Sequence, residues 1–393
     1  MQFIDLGAQQ NRIREKIEQN IRAVMNHGRY IMGPEVEELE DRLSHYIGIK
    51  HAIACSSGTD ALLLALMAYD VGANHAVFTT PFTFISTAEV ISMLGATPVF
   101  VDIDPGTYNI DPVRLDLAIT ALKKDDPSIH PLPRFASAEP LAVIPKAVIA
   151  VDLFGLPADY DRIHAVAQKH DLVVIEDAAQ SFGAQYKGKK ACSLAHVACT
   201  SFFAAKPLGC YGDGGMCFTD HDKLAEIIRS MRVHGQGNDK YDNVRIGING
   251  RLDTLQAAIL LAKLQIFPDE IILRQKAAER YTRLLEASDV DLSTPHVPSG
   301  YQSVWAQYSV LAHDEEHRTS LQDNLKNHGI PTAIYYPKPL HLQTAYSTLG
   351  YRNGDFPVSE SISQCIFSLP MHPYLKEEDQ KRIVKALNHR PVA

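Results

Sequence analysis

Residues 147–181 read AVIAVDLFGLPADYDRIHAVAQKHDLVVIEDAAQS. Two short apolar runs, 147–152 and 172–176, enclose a stretch at 160–170 with helical spacing, so the segment predicts strand, helix, strand. The second run ends in Glu176 and Asp177, which puts carboxylates at the C-terminal edge of a sheet, where ligands bind in open α/β folds. The same alternation extends towards the N-terminus. Residues 51–55 predict a strand and 61–68 a helix, while 77–79 and 98–101 are strand-like around a helical 86–94. Repeated alternation of this kind predicts an α/β fold with a large, mainly parallel sheet covered by helices on both faces.

Further out, residues 11–45 have helical character. Ile13, Ile17, Ile21 and Val24 share one face, Val36, Leu39 and Leu43 share another, and Gly33-Pro34 separates the two. Beyond Arg251 the pattern is helical to about residue 287, with Leu255, Ile259, Leu260 and Leu264 along one face. The remainder mixes strands (306–311, 331–336) with helices (319–328, 377–387), as in a smaller α+β unit. The expected organisation is therefore an N-terminal helical arm over 1–30 packing with the small domain, a large domain over 31–255 and a small C-terminal domain over 256–393. Residues 125–140, with four prolines among polar residues, predict a surface loop. Polar residues 235–243 predict a second exposed segment.

Composition narrows the function. Lys plus Arg is 38 against 46 Asp plus Glu, a formal net charge of −8, so no basic surface for nucleic acid is expected. Apolar stretches fall well short of the ~20 residues of a membrane helix, and the first residues carry no signal-peptide pattern. The six cysteines lack CxxC or metal-ligand spacing, as expected for buried thiols in a cytoplasmic protein. No metal site is expected.

Three segments carry chemistry. Cys55-Ser56-Ser57-Gly58-Thr59-Asp60 lies where a strand gives way to a helix, and free N–H groups there can hold phosphate. Serine and threonine at that place serve equally as ordinary helix caps. The second segment is Glu176-Asp177-Ala178-Ala179-Gln180-Ser181, whose acid could also cap a helix. The third is Ser201-Phe202-Phe203-Ala204-Ala205-Lys206-Pro207-Leu208-Gly209, continuing into CYGDGG. A lysine among apolar and small residues loses solvation, which lowers its pKa and frees the amine for Schiff-base chemistry.

Phosphate turn, carboxylate and lysine, in that order, resemble fold-type-I pyridoxal-phosphate (PLP) enzymes. The segments SSGTDAL, EDAAQSFGA, SFFAAKPLGCYGDGG and NGRLDTLQAA resemble the DegT/StrS family of nucleotide-sugar aminotransferases, nearly end to end. The resemblance implies that Lys206 carries the cofactor and moves protons, and that Asp177 pairs with the pyridine nitrogen. It implies that Gln180 bonds the phenolic oxygen and Phe84 stacks on the ring. Gly58, Thr59, Ser201 and a neighbouring subunit's Asn249 would hold phosphate, so a homodimer with shared sites is implied. Arg251, Tyr335, Tyr336 and His341 are the candidate substrate contacts. Arg251 follows Asn249 by two residues, so in an extended segment both side chains point the same way.

The implied reaction moves an amino group from L-glutamate to a nucleotide-linked keto sugar, with the cofactor passing through its pyridoxamine phosphate form. The subgroup resembled most aminates C3 of UDP-2-acetamido-2-deoxy-3-oxo-glucuronate for surface-polysaccharide (O-antigen, lipopolysaccharide) synthesis. Amination at C4 of a 4-keto-6-deoxy sugar is the alternative, and a non-catalytic regulatory protein of the same fold is another. Lys206 argues against the dehydratases of the family, which carry histidine there. The chain departs from many relatives at Ala204-Ala205, at Tyr335 where histidine is common, and in the 125–140 insertion.

Overall fold

The computed structural model describes residues 1–134, 143–239 and 241–388. In chain order the first elements are α1 (Leu6–His27), α2 (Pro34–Ile47), β1 (His51–Cys55), α3 (Gly58–Ala68), β2 (His75–Thr79), α4 (Ser86–Met93), β3 (Thr97–Phe100) and α5 (Pro112–Lys124). Next come β4 (Ile144–Val151), α6 (Tyr160–His170), β5 (Val173–Asp177), β6 (Gln185–Tyr186), β7 (Lys189–Lys190), β8 (Val197–Ser201), β9 (Gly215–Thr219) and α7 (Asp222–Met231). The rest are α8 (Thr254–Leu264), α9 (Phe267–Glu286), β10 (Tyr301–Gln302), β11 (Tyr308–Leu311), α10 (Glu315–Asn327), α11 (Pro357–Cys365), β12 (Ile366–Leu369) and α12 (Glu377–Asn388).

The main sheet has the strand order β1-β9-β8-β5-β4-β2-β3. Its pairs are parallel from β3 through β8, and β9 runs antiparallel to both β8 and β1. Side chains alternate across the sheet. Ile149 and Ile175 pack under α3 with Leu62, Leu64 and Leu66, whereas Val148 and Val174 face α5 and α6 through Leu115, Ile119 and Ile163. Both faces are thus covered, as a parallel sheet requires, and each fully buried Leu or Ile contributes about 1.5–3 kcal/mol. The α/β architecture expected from residues 147–181 is the one observed.

Beyond the sheet, α2 and α8 pack Val36, Leu39, Leu43 and Leu260 against Ala52, Ala54, Met216 and Phe218. The N-terminal helix lies along α8 and the start of α9. Asn20 Nδ2 donates to the Ala258 carbonyl, Gln9 Nε2 to the Glu270 carboxylate, and Ile13 and Ile17 meet Ile259. The cluster around β11 and β12 draws on α9 only from Ala277 onward. A boundary at 255/256 therefore cuts α8 away from the sheet cluster with which it packs.

Two expectations on local structure are corrected. Residues 331–336 form no strand; only Ala333 bridges to Ser368, because Pro331 and Pro337 bracket the stretch and withhold N–H donors. Nor is all of the 125–140 segment a surface loop. His130 and Leu132 are buried, and His130 Nε2 lies 2.8 Å from the Phe100 carbonyl. Arg134 N donates to Leu349 O. Residues 135–140 lie outside the described residues.

Candidate active site

Asp177 ends β5, in the middle of the sheet, and is buried. Its carboxylate accepts from Thr87 Oγ1 of α4 at 2.8 Å and from the Ala179 amide at 3.2 Å. Burial raises its pKa, while those two donors and the charge of Lys206 pull it down. The bonds to Asp177 come from neutral groups, so its charge lacks a cationic hydrogen-bond partner.

Lys206 sits in the loop between β8 and β9, which turns back because β9 runs antiparallel to β8. Lys206 is partly exposed, yet the surrounding protein lowers its ammonium pKa by desolvation, with Asp177 pulling the other way. The glycines of the loop have steric reasons. A Cβ on Gly209 would lie 2.5 Å from Ala204 O, and one on Gly215 would lie 2.2 Å from Ser57 O.

Gln180 is buried behind Asp177. Its Oε1 accepts the Phe154 amide at 2.8 Å and its Nε2 donates to Tyr336 OH at 3.2 Å, so the amide's orientation is set from two sides. Tyr336 in turn meets Phe82 edge-on with centroids 6.1 Å apart. Tyr335, half-buried, packs 6.5 Å from the Phe3 ring, which ties the N-terminus to this wall.

At the start of α3, Ser57 caps the helix by accepting the Asp60 amide at 3.0 Å. Gly58 and Thr59 precede the amides so taken and stand in the orphan first turn. Gly58 presses against Ser201 at the end of β8, where an added Cβ would lie 2.7 Å from the serine Cβ. Thr59 Oγ1 is 2.8 Å from Ser86 Oγ. Gly58, Thr59 and Ser201 therefore meet at one helix N-terminus, a place suited to an anion. Phe84 lies three residues before Thr87 and leaves 55% of its surface exposed.

Asn249 and Arg251 do share one side of their strand-like segment, since Arg251 Nη2 donates to Asn249 Oδ1 at 2.6 Å. Gly250 between them accepts the Ser56 amide, which fixes this segment beside the α3 turn of its own chain. Neither side chain bonds to Asp177, Gln180, Ser201 or Lys206, and Arg251 Nε is shielded without a partner. His341 is not brought to this set. Its side chain is buried, its Nε2 lies 2.9 Å from Glu360, and its ring packs on Phe356 4.7 Å away. A side chain so enclosed offers a substrate no face, so His341 belongs to the packing of two short 3-10 helices, Leu340–Leu342 and Thr344–Leu349, against Phe356 and the start of α11.

The sequence reading missed Thr87, the Phe154 amide and Asp152, and it set Glu176 beside Asp177 at the ligand edge, whereas the Glu176 carboxylate is fully buried against the Cys192 and Leu194 amides. Thr87 is one of many hydroxyls in TTPFTFIST, and nothing in that string singles it out.

The residues present fit pyridoxal phosphate. Among the described residues the buried Asp177 has no cationic hydrogen-bond partner, a desolvated lysine senses its charge, and a helix N-terminus with hydroxyls admits no Cβ at Gly58. The profile of the DegT/DnrJ/EryC1/StrS aminotransferase family matches residues 11–388. The chain belongs to this family: it is an aminotransferase, and its cofactor is PLP. It is 49% identical over 389 residues to the UDP-2-acetamido-2-deoxy-3-oxo-D-glucuronate aminotransferase of Pseudomonas aeruginosa, covering 99% of this chain and 100% of that one. A crystal structure of a family aminotransferase from Brucella abortus superposes with a TM-score of 0.91 at 49% identity, covering 98% of each chain. The ntda protein of Bacillus subtilis, solved with its cofactor PMP bound, superposes with a TM-score of 0.84 at 28% identity, covering 96% of this chain and 81% of that one.

Proposed function

We propose that this enzyme transfers the amino group of L-glutamate to C3 of UDP-2-acetamido-2-deoxy-3-oxo-glucuronate, a step of surface-polysaccharide synthesis in the cytoplasm. The observation that carries the choice of sugar is Arg251, whose guanidinium stands beside Asn249 with a shielded Nε that has no partner. A uronate offers arginine a carboxylate for two parallel hydrogen bonds, whereas a 6-deoxy sugar offers a methyl group. The near-full-length identity to the Pseudomonas aeruginosa enzyme supports the same reading.

When bound, PLP supplies an electron sink for the carbon that loses its proton. Asp177 accepts a hydrogen bond from the pyridine nitrogen and keeps it protonated. Lys206 Nζ anchors the cofactor, then takes a proton from the glutamate α-carbon and later delivers one to the sugar carbon. Desolvation suits it to this, because it leaves the amine more readily uncharged. Gln180, oriented by Phe154 and Tyr336, bonds the phenolic oxygen, and Phe84 covers the ring. Gly58, Thr59 and Ser201 hold the phosphate, joined by Asn249 of the neighbouring subunit in a homodimer. Glutamate leaves as its 2-oxo acid. The large unit is taken to end within α9, with residues 1–30 as an arm along α8.

The test compares kcat/KM for the 3-oxo uronate and a 4-keto-6-deoxy counterpart, with products identified by mass spectrometry. Arg251→Ala should cost the uronate ~2–4 kcal/mol of transition-state stabilisation and the 6-deoxy sugar far less. Equal loss on both sugars, or turnover of the 6-deoxy sugar alone, would favour amination at C4.

A further inference from the structure

Far from Asp177 and Lys206 in the fold, the small unit brings two imidazoles and a carboxylate together. Ser293 and Leu311 exchange backbone hydrogen bonds of 2.9 and 3.0 Å, which lays the chain after α9 beside the end of β11. Asp291 therefore comes next to His313. Asp314 caps α10 by accepting the His317 amide at 2.7 Å, and this sets His313 and His317 four residues apart across the helix start. The two rings stand 4.3 Å apart and nearly perpendicular. One ligand atom each from Asp291, His313 and His317 lies within 4.8 Å of the others.

Two further features mark this cluster. His317 Nδ1 is shielded from solvent and has no hydrogen-bond partner, an unfavourable state for a polar ring atom. The charge around it is negative. Asp314, Glu315 and Glu316 stand at the helix start, and Arg318 of the same turn is engaged by Glu315 at 3.1 Å and by the Ser363 carbonyl at 2.7 Å. These acids offset the positive end of the α10 dipole, which alone would repel a cation. Asp314 also lies 3.6 Å from His313 Nε2, adding a negative charge beside that ring.

We propose that Asp291, His313 and His317 form a binding site for a divalent transition-metal ion of the zinc class. Two nitrogens and one carboxylate oxygen suit Zn²⁺ or Co²⁺ and disfavour Mg²⁺ and Ca²⁺, which take oxygen ligands. Ligand atoms around a tetrahedral zinc stand about 3.4 Å apart, as bonds of ~2.0–2.1 Å require. The site must therefore close slightly, and the exposed Asp291 and His313 are free to move inward. Bound metal would clasp the 290–293 segment to the start of α10, stabilising the small unit without entering the reaction.

The test uses the holoenzyme, stripped of adventitious metal by a chelator and then titrated with ZnCl₂ in a calorimeter. Co²⁺ serves as a second probe through its visible absorption. Wild type should bind one ion per chain with a rise in thermal midpoint, and give the intense visible bands of four-coordinate cobalt. His317→Ala and, at the exposed ligand, His313→Gln should each weaken that binding at least about tenfold, with transaminase turnover unchanged. Binding of no ion by wild type would overturn the site. So would zinc binding that both variants retain, which would place the metal elsewhere, for instance on the cofactor.

Discussion

Asp152 and Glu176 are fully buried carboxyls behind Asp177, without a cation beside them. Asp152 accepts from the Ala158 amide, Tyr160 OH and Ser181 Oγ, and Glu176 from the Cys192 and Leu194 amides. Burial raises both groups, with repulsion from Asp177 adding to it at Asp152 and repulsion from Asp152 adding to it at Glu176. Asp152 is pushed up to about 7. The folded protein thus keeps a proton that the unfolded chain gives up near pH 4. The stability this group contributes is whole below pH ~4 and is lost as pH rises through about 7, a swing on the order of 4 kcal/mol. Asp152→Asn keeps an oxygen for Ala158 and Tyr160, and Ser181 can turn to accept from the new amide. Thermal midpoints measured across this range should fall with pH in wild type and fall less steeply in the variant, where Glu176 still holds its proton above the unfolded range. Parallel slopes would mean that Asp152 holds no proton.

At the scale of elements, the α3 turn depends on how closely β1 and β9 approach. Cys55 pairs with Gly215, and a Cβ at Gly215 would meet backbone, Ser57 O at 2.2 Å and Gly58 N at 2.8 Å. Neither atom can rotate away, so the strand ends must part and carry the turn with them. Gly215→Ala should therefore destabilise the fold by about 1–3 kcal/mol. It should also loosen the cofactor, seen as faster loss of its visible absorbance on dilution. A variant less stable but retaining PLP as wild type does would show that the turn is scaffold and not a phosphate cradle. The thiols Cys55, Cys199 and Cys217 sit on β1, β8 and β9 of the same region, buried and pushed up in pKa, hence inert packing groups.

At the scale of the whole molecule, large apolar side chains stand exposed on segments that flank the site. Phe84 precedes Thr87, Phe203 precedes Lys206, and Val244 and Ile246, the latter 86% exposed, lead into Asn249. Large apolar groups left exposed on such segments suit an interaction surface, and in the proposed homodimer a second copy of the chain would cover them while bringing its Asn249 to the first copy's phosphate. Ile246→Glu should weaken the dimer at least about tenfold, a cost of about 1.4 kcal/mol. Sedimentation at graded concentrations measures this, and cofactor should leave as monomer forms. A wild-type monomer that keeps both PLP and activity would refute the shared site.

The amino-acid sequence by itself determined the α/β class, because strands and helices alternate with periods that local residues impose. Helix 160–170 and strands 51–55 and 172–176 were legible for that reason, the last observed one residue on at Val173–Asp177, and Lys206 and Asp177 were pointed to by the resemblance of their segments. Long-range contact decided the rest. Only the folded sheet puts Thr87 on Asp177, Phe154 and Tyr336 on Gln180, and Asp152 beside Glu176, since these pairs join residues far apart in the chain. His341 shows the converse: named as a candidate substrate contact, it is buried against Glu360 and Phe356 by packing with α11. Periodicity is a property of neighbours in sequence, whereas desolvation and hydrogen-bond partners are properties of neighbours in space. For this chain the first sufficed for the fold class, the resemblance of their segments pointed to Lys206 and Asp177, and neighbours in space set the protonation and surroundings of both.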